Sequence, residues 1–197
     1  MGDSHIHVKA VFFGVVIALT MPHIAAASPQ SMGDSVAHRS FWVELGLGQG
    51  TMTSSNGLAW RAGFAYEIDR HVVSARIIEV SQVTVAGVDP RFPQPDERAT
   101  EVALMYGFDV SSKRDIFVLS VGLGYVHLRQ RGNVLPNSPS SHAYEARTDI
   151  SIGIAVDLLV LLPVSDRIAV GLSGAANFNV QAFVGGGMLT LAFGGFQ

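Results

Sequence analysis

The sequence predicts an all-β fold: an eight-stranded antiparallel up-and-down transmembrane β-barrel. Three observations point there. Segments of about ten residues, the length a tilted strand needs to cross a bilayer, alternate between a bulky apolar face and a small or charged one. Clusters of turn-forming residues separate them. The 197 residues are 48% hydrophobic and only 15% charged, with a mean hydropathy of +0.33, whereas soluble proteins carry about 25% charged residues.

Residues 1–27 are expected to be a signal peptide that is removed. A short polar stretch carrying Lys9 precedes the apolar run "AVFFGVVIAL" at 10–19, and small residues at Ala25 and Ala27 mark a cut before Ser28. The run is too short to span a bilayer. Residues 28–40 form a polar, flexible lead-in, and 41–197 form the barrel domain. The chain has no cysteine, so no disulfide framework is expected. A net charge of −3 gives no reason to expect nucleic acid as a partner.

The first strand is read at 41–48. The second, "LAWRAGFAYEI" at 58–68, sets Trp60, Phe64, Tyr66 and Ile68 against Arg61, Gly63, Ala65 and Glu67. A third spans 72–85. The fourth, at 100–110, repeats this pattern, with Val102, Leu104, Tyr106 and Phe108 opposing Glu101, Ala103, Met105 and Asp109. The remaining strands are placed at 116–131, 147–162, 168–176 and 181–193. Residues 69–71, 111–115 and 163–167 read as tight charged turns. By contrast 49–57, 86–98 and 132–146 read as long loops rich in Pro, Ser, Asn and Gly, while the connection near 177–179 is short.

The alternation leaves open which face points inward. Eight strands enclose a lumen just wide enough to be filled by modest side chains. Packing the aromatic face inside would overfill it and leave Gly, Ala and Ser to face water. With the aromatic face outward on lipid, the lumen takes the small residues together with Glu44, Arg61, Glu67, Arg76, Glu101, Asp109, Asp149 and Asp157. These charges are expected to pair into a structural network that locks the barrel, with Glu44 and either Glu101 or Asp109 as partners for Arg61. Glu79 is the exception. It shares the outward parity of Ala75 and Ile77, which requires a place near the rim, where a charge costs little, or a bulge.

The signal peptide, the eight alternating segments, the rhythm of long loops and short turns and the closing "GMLTLAFGGFQ" together make the chain resemble small outer-membrane β-barrels of the OmpA-like and opacity type. The resemblance implies a bacterial outer-membrane location and a C-terminal aromatic insertion signal, a part that Phe193 or Phe196 would play.

"GLGQG" at 46–50 looks like a phosphate-binding loop, but no helix follows to supply the N-terminus that such a loop needs. His127, on the outward face with Glu145 across the loop, raises a lipid A deacylase as an alternative. A His-x-Ser arrangement would need serine where Arg129 stands. The pattern is also compatible with a narrow channel and with a soluble lipocalin-like carrier of small ligands. The expected role is structural or surface-interacting through the long loops, without catalysis, cofactor or metal. The expected partners are membrane lipid, lipopolysaccharide and a possible surface ligand for the loops, and the chain is expected to act as a monomer.

Overall fold

The computed structural model describes residues 39–53, 55–82, 96–111, 115–134 and 144–196. The expected signal peptide, the lead-in through residue 38 and most of the loop at 86–98 lie outside the described residues. The strands are β1 (Arg39–Met52), β2 (Ser55–Ile68), β3 (His71–Ser81), β4 (Arg98–Asp109), β5 (Ile116–Val134), β6 (Tyr144–Ser165), β7 (Ile168–Asn179) and β8 (Phe183–Gly194). Each pairs antiparallel with the next, and β1 pairs with β8 to close the ring.

Register fixes the shape of the ring. A row of partners runs from Trp42 through Ala65, Ser74, Met105, Gly122, Ala155, Asn177 and Val184, and returns to β1 at Met52, ten residues beyond its start. A stagger of that kind requires strands tilted by about 35–45°. Successive rows therefore climb from the short-turn end toward the long-loop end.

The alternation sorts side chains as the sequence predicts. Leu189, Ile152 and Leu123 are 72%, 70% and 67% exposed, and Phe41, Tyr66, Tyr106, Phe108 and Phe193 stand outward near the short-turn end. The lumen is filled in layers. Trp42, Val72, Leu159, Leu161 and Phe196 cluster at the short-turn end, and Ile78, Val80, Val126, Leu128 and Val184 at the long-loop end. Buried charge lies between them.

Several strand ends differ from the sequence reading. Residues 49–57 are not a long loop: Gly50–Met52 pair with Ser55–Gly57, Gln49 pairs with Leu58, and only residues 53 and 54 connect the two strands. The glycines that suggest a turn are close-approach positions. A Cβ on Gly50 would lie 2.6 Å from Val80 Cγ2, and one on Gly57 would strike the carbonyl of Ser81. Likewise β5 continues to Val134 and β6 begins at Tyr144, so strand takes up both ends of the expected loop at 132–146. β3, by contrast, stops at Ser81 rather than at 85.

The turn between β2 and β3 is two residues long, with positive φ at both Asp69 (48°) and Arg70 (71°). This is the conformation whose twist matches a hairpin. Glu79 keeps its outward direction with no bulge. It lies two residues from the end of β3, where Arg98 Nε approaches it at 3.6 Å, so rim position accounts for it.

Candidate functional site

Five of the eight predicted lumen charges meet at one level. Arg61 comes from β2 and Asp157 from β6, which face each other across the ring. Arg61 Nη1 donates to Asp157 Oδ1 at 2.9 Å and Nη2 to Oδ2 at 3.0 Å, a bidentate fork, and Nη2 also donates to Glu44 Oε1. Arg76 Nη1 reaches Asp157 Oδ1 at 2.7 Å and the carbonyl of Val156 at 3.2 Å. Its Nη2 donates to Glu101 Oε1 and Oε2 at 3.2 and 3.4 Å. Asp157 is thus shared by both arginines. Charges taken out of water hold together only when paired and hydrogen-bonded. Small residues make the room: a Cβ on Gly46 would lie 2.7 Å from Arg61 Cγ, and one on Gly63 2.6 Å from Glu44 Oε1.

The other three lie elsewhere. Glu67 is buried but sits nearer the short turns, where Ser40 Oγ donates to it at 2.7 Å. Asp109 is only half-buried at the end of β4 and organises the turn, accepting from the backbone N–H of Ser111 at 2.8 Å and of Phe117 at 3.3 Å. Asp149 stands above the level at which β6 meets β7 and pairs with exposed Arg147 at 2.8 Å. The expectation of Arg61 bound to Glu101 or Asp109 is also corrected: Glu101 belongs to Arg76, and Asp157 takes its place. Parity tells inside from outside, whereas height in the lumen follows from register.

Sequence reasoning misses several lumen residues. Asn177 on β7 donates to Glu101 Oε1 at 3.2 Å, and Ser173 meets Thr190 at 2.7 Å. Trp42 shares the parity of Glu44, the signal that could have placed it inside. Its ring lies 6.4 Å from that of Phe196, at the bottom of the lumen. Phe193, by contrast, points outward in line with Leu189 and Leu191.

At the long-loop end, β5 last pairs with β4 at Arg129, and β6 first pairs with β7 at Gly153. Beyond those points residues 130–134 pair only with 144–147, as a two-stranded arm, and 148–152 pair on one side alone, with 125–129 of β5. Among the described residues nothing pairs with the β7-side edge of 144–152. His127 faces outward between its register partners Thr100 and Ile150. Glu145 lies five residues along β6 from Ile150, roughly 16 Å away and on the opposite face, so the two do not form a pair. Among the described residues no three His, Asp or Glu side chains converge so as to hold a metal ion.

No known protein family and no curated protein sequence matches the chain. Solved structures do. The chain is similar to Ail, the attachment invasion locus protein of Yersinia pestis, in its complex with the heparin analogue sucrose octasulfate: 13% identity, TM-score 0.54, with 79% of this chain and 98% of that one covered. For Neisserial surface protein A the values are 12%, 0.52, 79% and 96%. For the N-terminal β-barrel domain of Pseudomonas aeruginosa OprF they are 12%, 0.52, 80% and 98%. The fold is that of the small eight-stranded outer-membrane barrels.

Proposed function

We propose, from the barrel that this chain shares with small outer-membrane proteins, that it resides in a bacterial outer membrane and engages a surface partner through the arm built by β5 and β6, without catalysis. The observation that carries this reading is the open edge at 144–152. A strand edge presents a row of free N–H and C=O groups, and an extended segment of another polypeptide can add to it as a further strand. Arg147 and Asp149 lie along the same edge and would select the partner by charge. The lumen network, capped by apolar layers above and below, acts as a lock rather than a path for ions.

The test is to replace residues 131–146 by a two-residue Asn-Gly turn and to measure attachment of whole cells to surface-coated extracellular protein, with barrel folding checked by heat-dependent gel mobility. Loss of attachment with an intact barrel is expected. Undiminished attachment would remove the arm from the function. Fractionation tests the location, because recovery in the soluble periplasm contradicts it. Release of fatty acid from purified lipopolysaccharide by the folded protein would overturn the non-catalytic reading.

A further inference from the structure

On the outward face of the barrel, at the long-loop end, Arg98 of β4 and Arg129 of β5 are direct register partners. Like charges placed opposite each other on adjacent strands repel. Glu79 offsets only one of them: it approaches Arg98 Nε at 3.6 Å and also accepts from the hydroxyl of Thr100 at 3.5 Å. Arg129 is exposed and has no carboxylate within ion-pair distance among the described residues. His127 lies two residues below it on the same face. The next arginine up, Arg131, is already engaged, donating to Gln82 at 2.9 Å with its guanidinium 6.0 Å from the Tyr144 ring.

The height of this pair is informative. Four residues below Arg98 on its strand is Val102, and four below Arg129 is Tyr125, both outward and about half exposed within the apolar belt. The two guanidiniums therefore stand just above that belt, at the level of lipid headgroups. Farther down β5, an open groove of about 480 Å³ is lined by Leu123, Ile152, Ile154, Phe178 and Phe183. Ile152 is the register partner of Tyr125, so the groove begins roughly 13 Å below Arg129 along the strand.

We infer that Arg98 and Arg129 bind the phosphate of an outer-leaflet glycolipid, one acyl chain of which lies in the groove between β5 and the β7–β8 hairpin. The positive charge that Glu79 leaves unbalanced matches an anion, and a guanidinium fork fits a phosphate with two parallel hydrogen bonds. The apolar groove within reach of the same headgroup distinguishes a lipid from a free anion. This inference rests on the outer-membrane location proposed above, which fractionation tests apart from any lipid.

The experiment uses the folded full-length barrel in phosphatidylcholine nanodiscs doped with bisphosphorylated lipid A or with its enzymatically dephosphorylated form, and native mass spectrometry counts the lipid that stays bound. Wild type is expected to retain the phosphorylated form alone. Arg129→Gln should reduce retention about tenfold, the scale of one charge-assisted contact, and Arg98→Gln combined with it should abolish the preference. Both side chains are exposed, so the barrel should fold, and Arg129→Gln alone suffices if the double variant does not. Ile152→Asn should weaken retention of lipid A. Equal retention of the two lipid forms, or full retention by Arg129→Gln, would overturn the phosphate site. Displacement of lipid A by inorganic phosphate alone, with Ile152→Asn behaving as wild type, would make the site a simple anion site and overturn the lipid assignment.

Discussion

Arg61 and Asp157 meet across the full width of the lumen in a two-point contact, 96 residues apart in sequence, with hydrogen bonds of 2.9 and 3.0 Å. Neither strand touches the other through its backbone. This side-chain bridge ties opposite walls of the ring together, and Arg76 braces it from β3 through the same carboxylate.

Removing the arginine should therefore be costly. Arg61→Ala leaves Glu44 and part of Asp157 buried without their counter-charge, and a loss of about 3–5 kcal/mol is expected. Arg147→Ala breaks an ion pair whose arginine side chain is 62% exposed, and should cost under about 1 kcal/mol. Urea unfolding of the detergent- or lipid-embedded barrel measures both. Equal, mild effects would mean that the lumen network does not lock the fold.

The shared acceptor should matter more than the peripheral one. Asp157→Ala takes a carboxylate from two guanidiniums at once, leaving Arg61 to Glu44 and Arg76 to Glu101, whereas Glu44 has one oxygen engaged by Arg61 and a second without a hydrogen-bond partner. Asp157→Ala should be the more destabilising by about 1–3 kcal/mol. A double-mutant cycle should also show stronger coupling of Arg76 to Asp157 at 2.7 Å than to Glu101 at 3.2 Å.

Glycine positions offer a test of packing on the two faces. Gly46→Ala drives a methyl against Arg61 and should cost about 1–3 kcal/mol. Gly174, on the outward face of β7, has no atom within 4 Å of an added Cβ, so Gly174→Ala should be neutral or slightly stabilising. Thermal midpoints of the two variants decide the matter, and a reversal of their order would mean the faces are assigned the wrong way round.

The turn at Asp69–Arg70 invites a gain. Both residues adopt positive φ, which L side chains tolerate poorly. Arg70→Gly should relieve roughly 0.5–1 kcal/mol, seen as a higher unfolding midpoint and unchanged folding yield. A lower midpoint would show that the arginine side chain contributes more than its backbone costs.

Parity is enough to read the barrel. Trp60, Phe64 and Tyr66 against Arg61, Ala65 and Glu67 declare two unlike faces, and the narrowness of an eight-stranded lumen says which one points inward. Parity does not say where along the lumen each charge sits. Arg61 meets Asp157 rather than Asp109 because of the ten-residue stagger, a property of the closed ring that no single strand carries. Strand ends are obscured for a different reason. Gly50 and Gly57 are chemically the same whether they let a chain turn or let two strands approach. Trp42 escapes notice because a narrow lumen suggests small residues throughout, although an aromatic ring fits where the barrel needs a floor.

The pairing of β1 with β8 also governs how the molecule can be made. Trp42 waits for Gly194, and until they join, every partly assembled sheet carries two unsatisfied edges and an unsealed lumen. Pairs so distant in sequence are the last to reward the chain entropy they consume. Assembly is thus all-or-none at its final step, and a newly made chain depends on being shielded from its own kind until its last strand arrives.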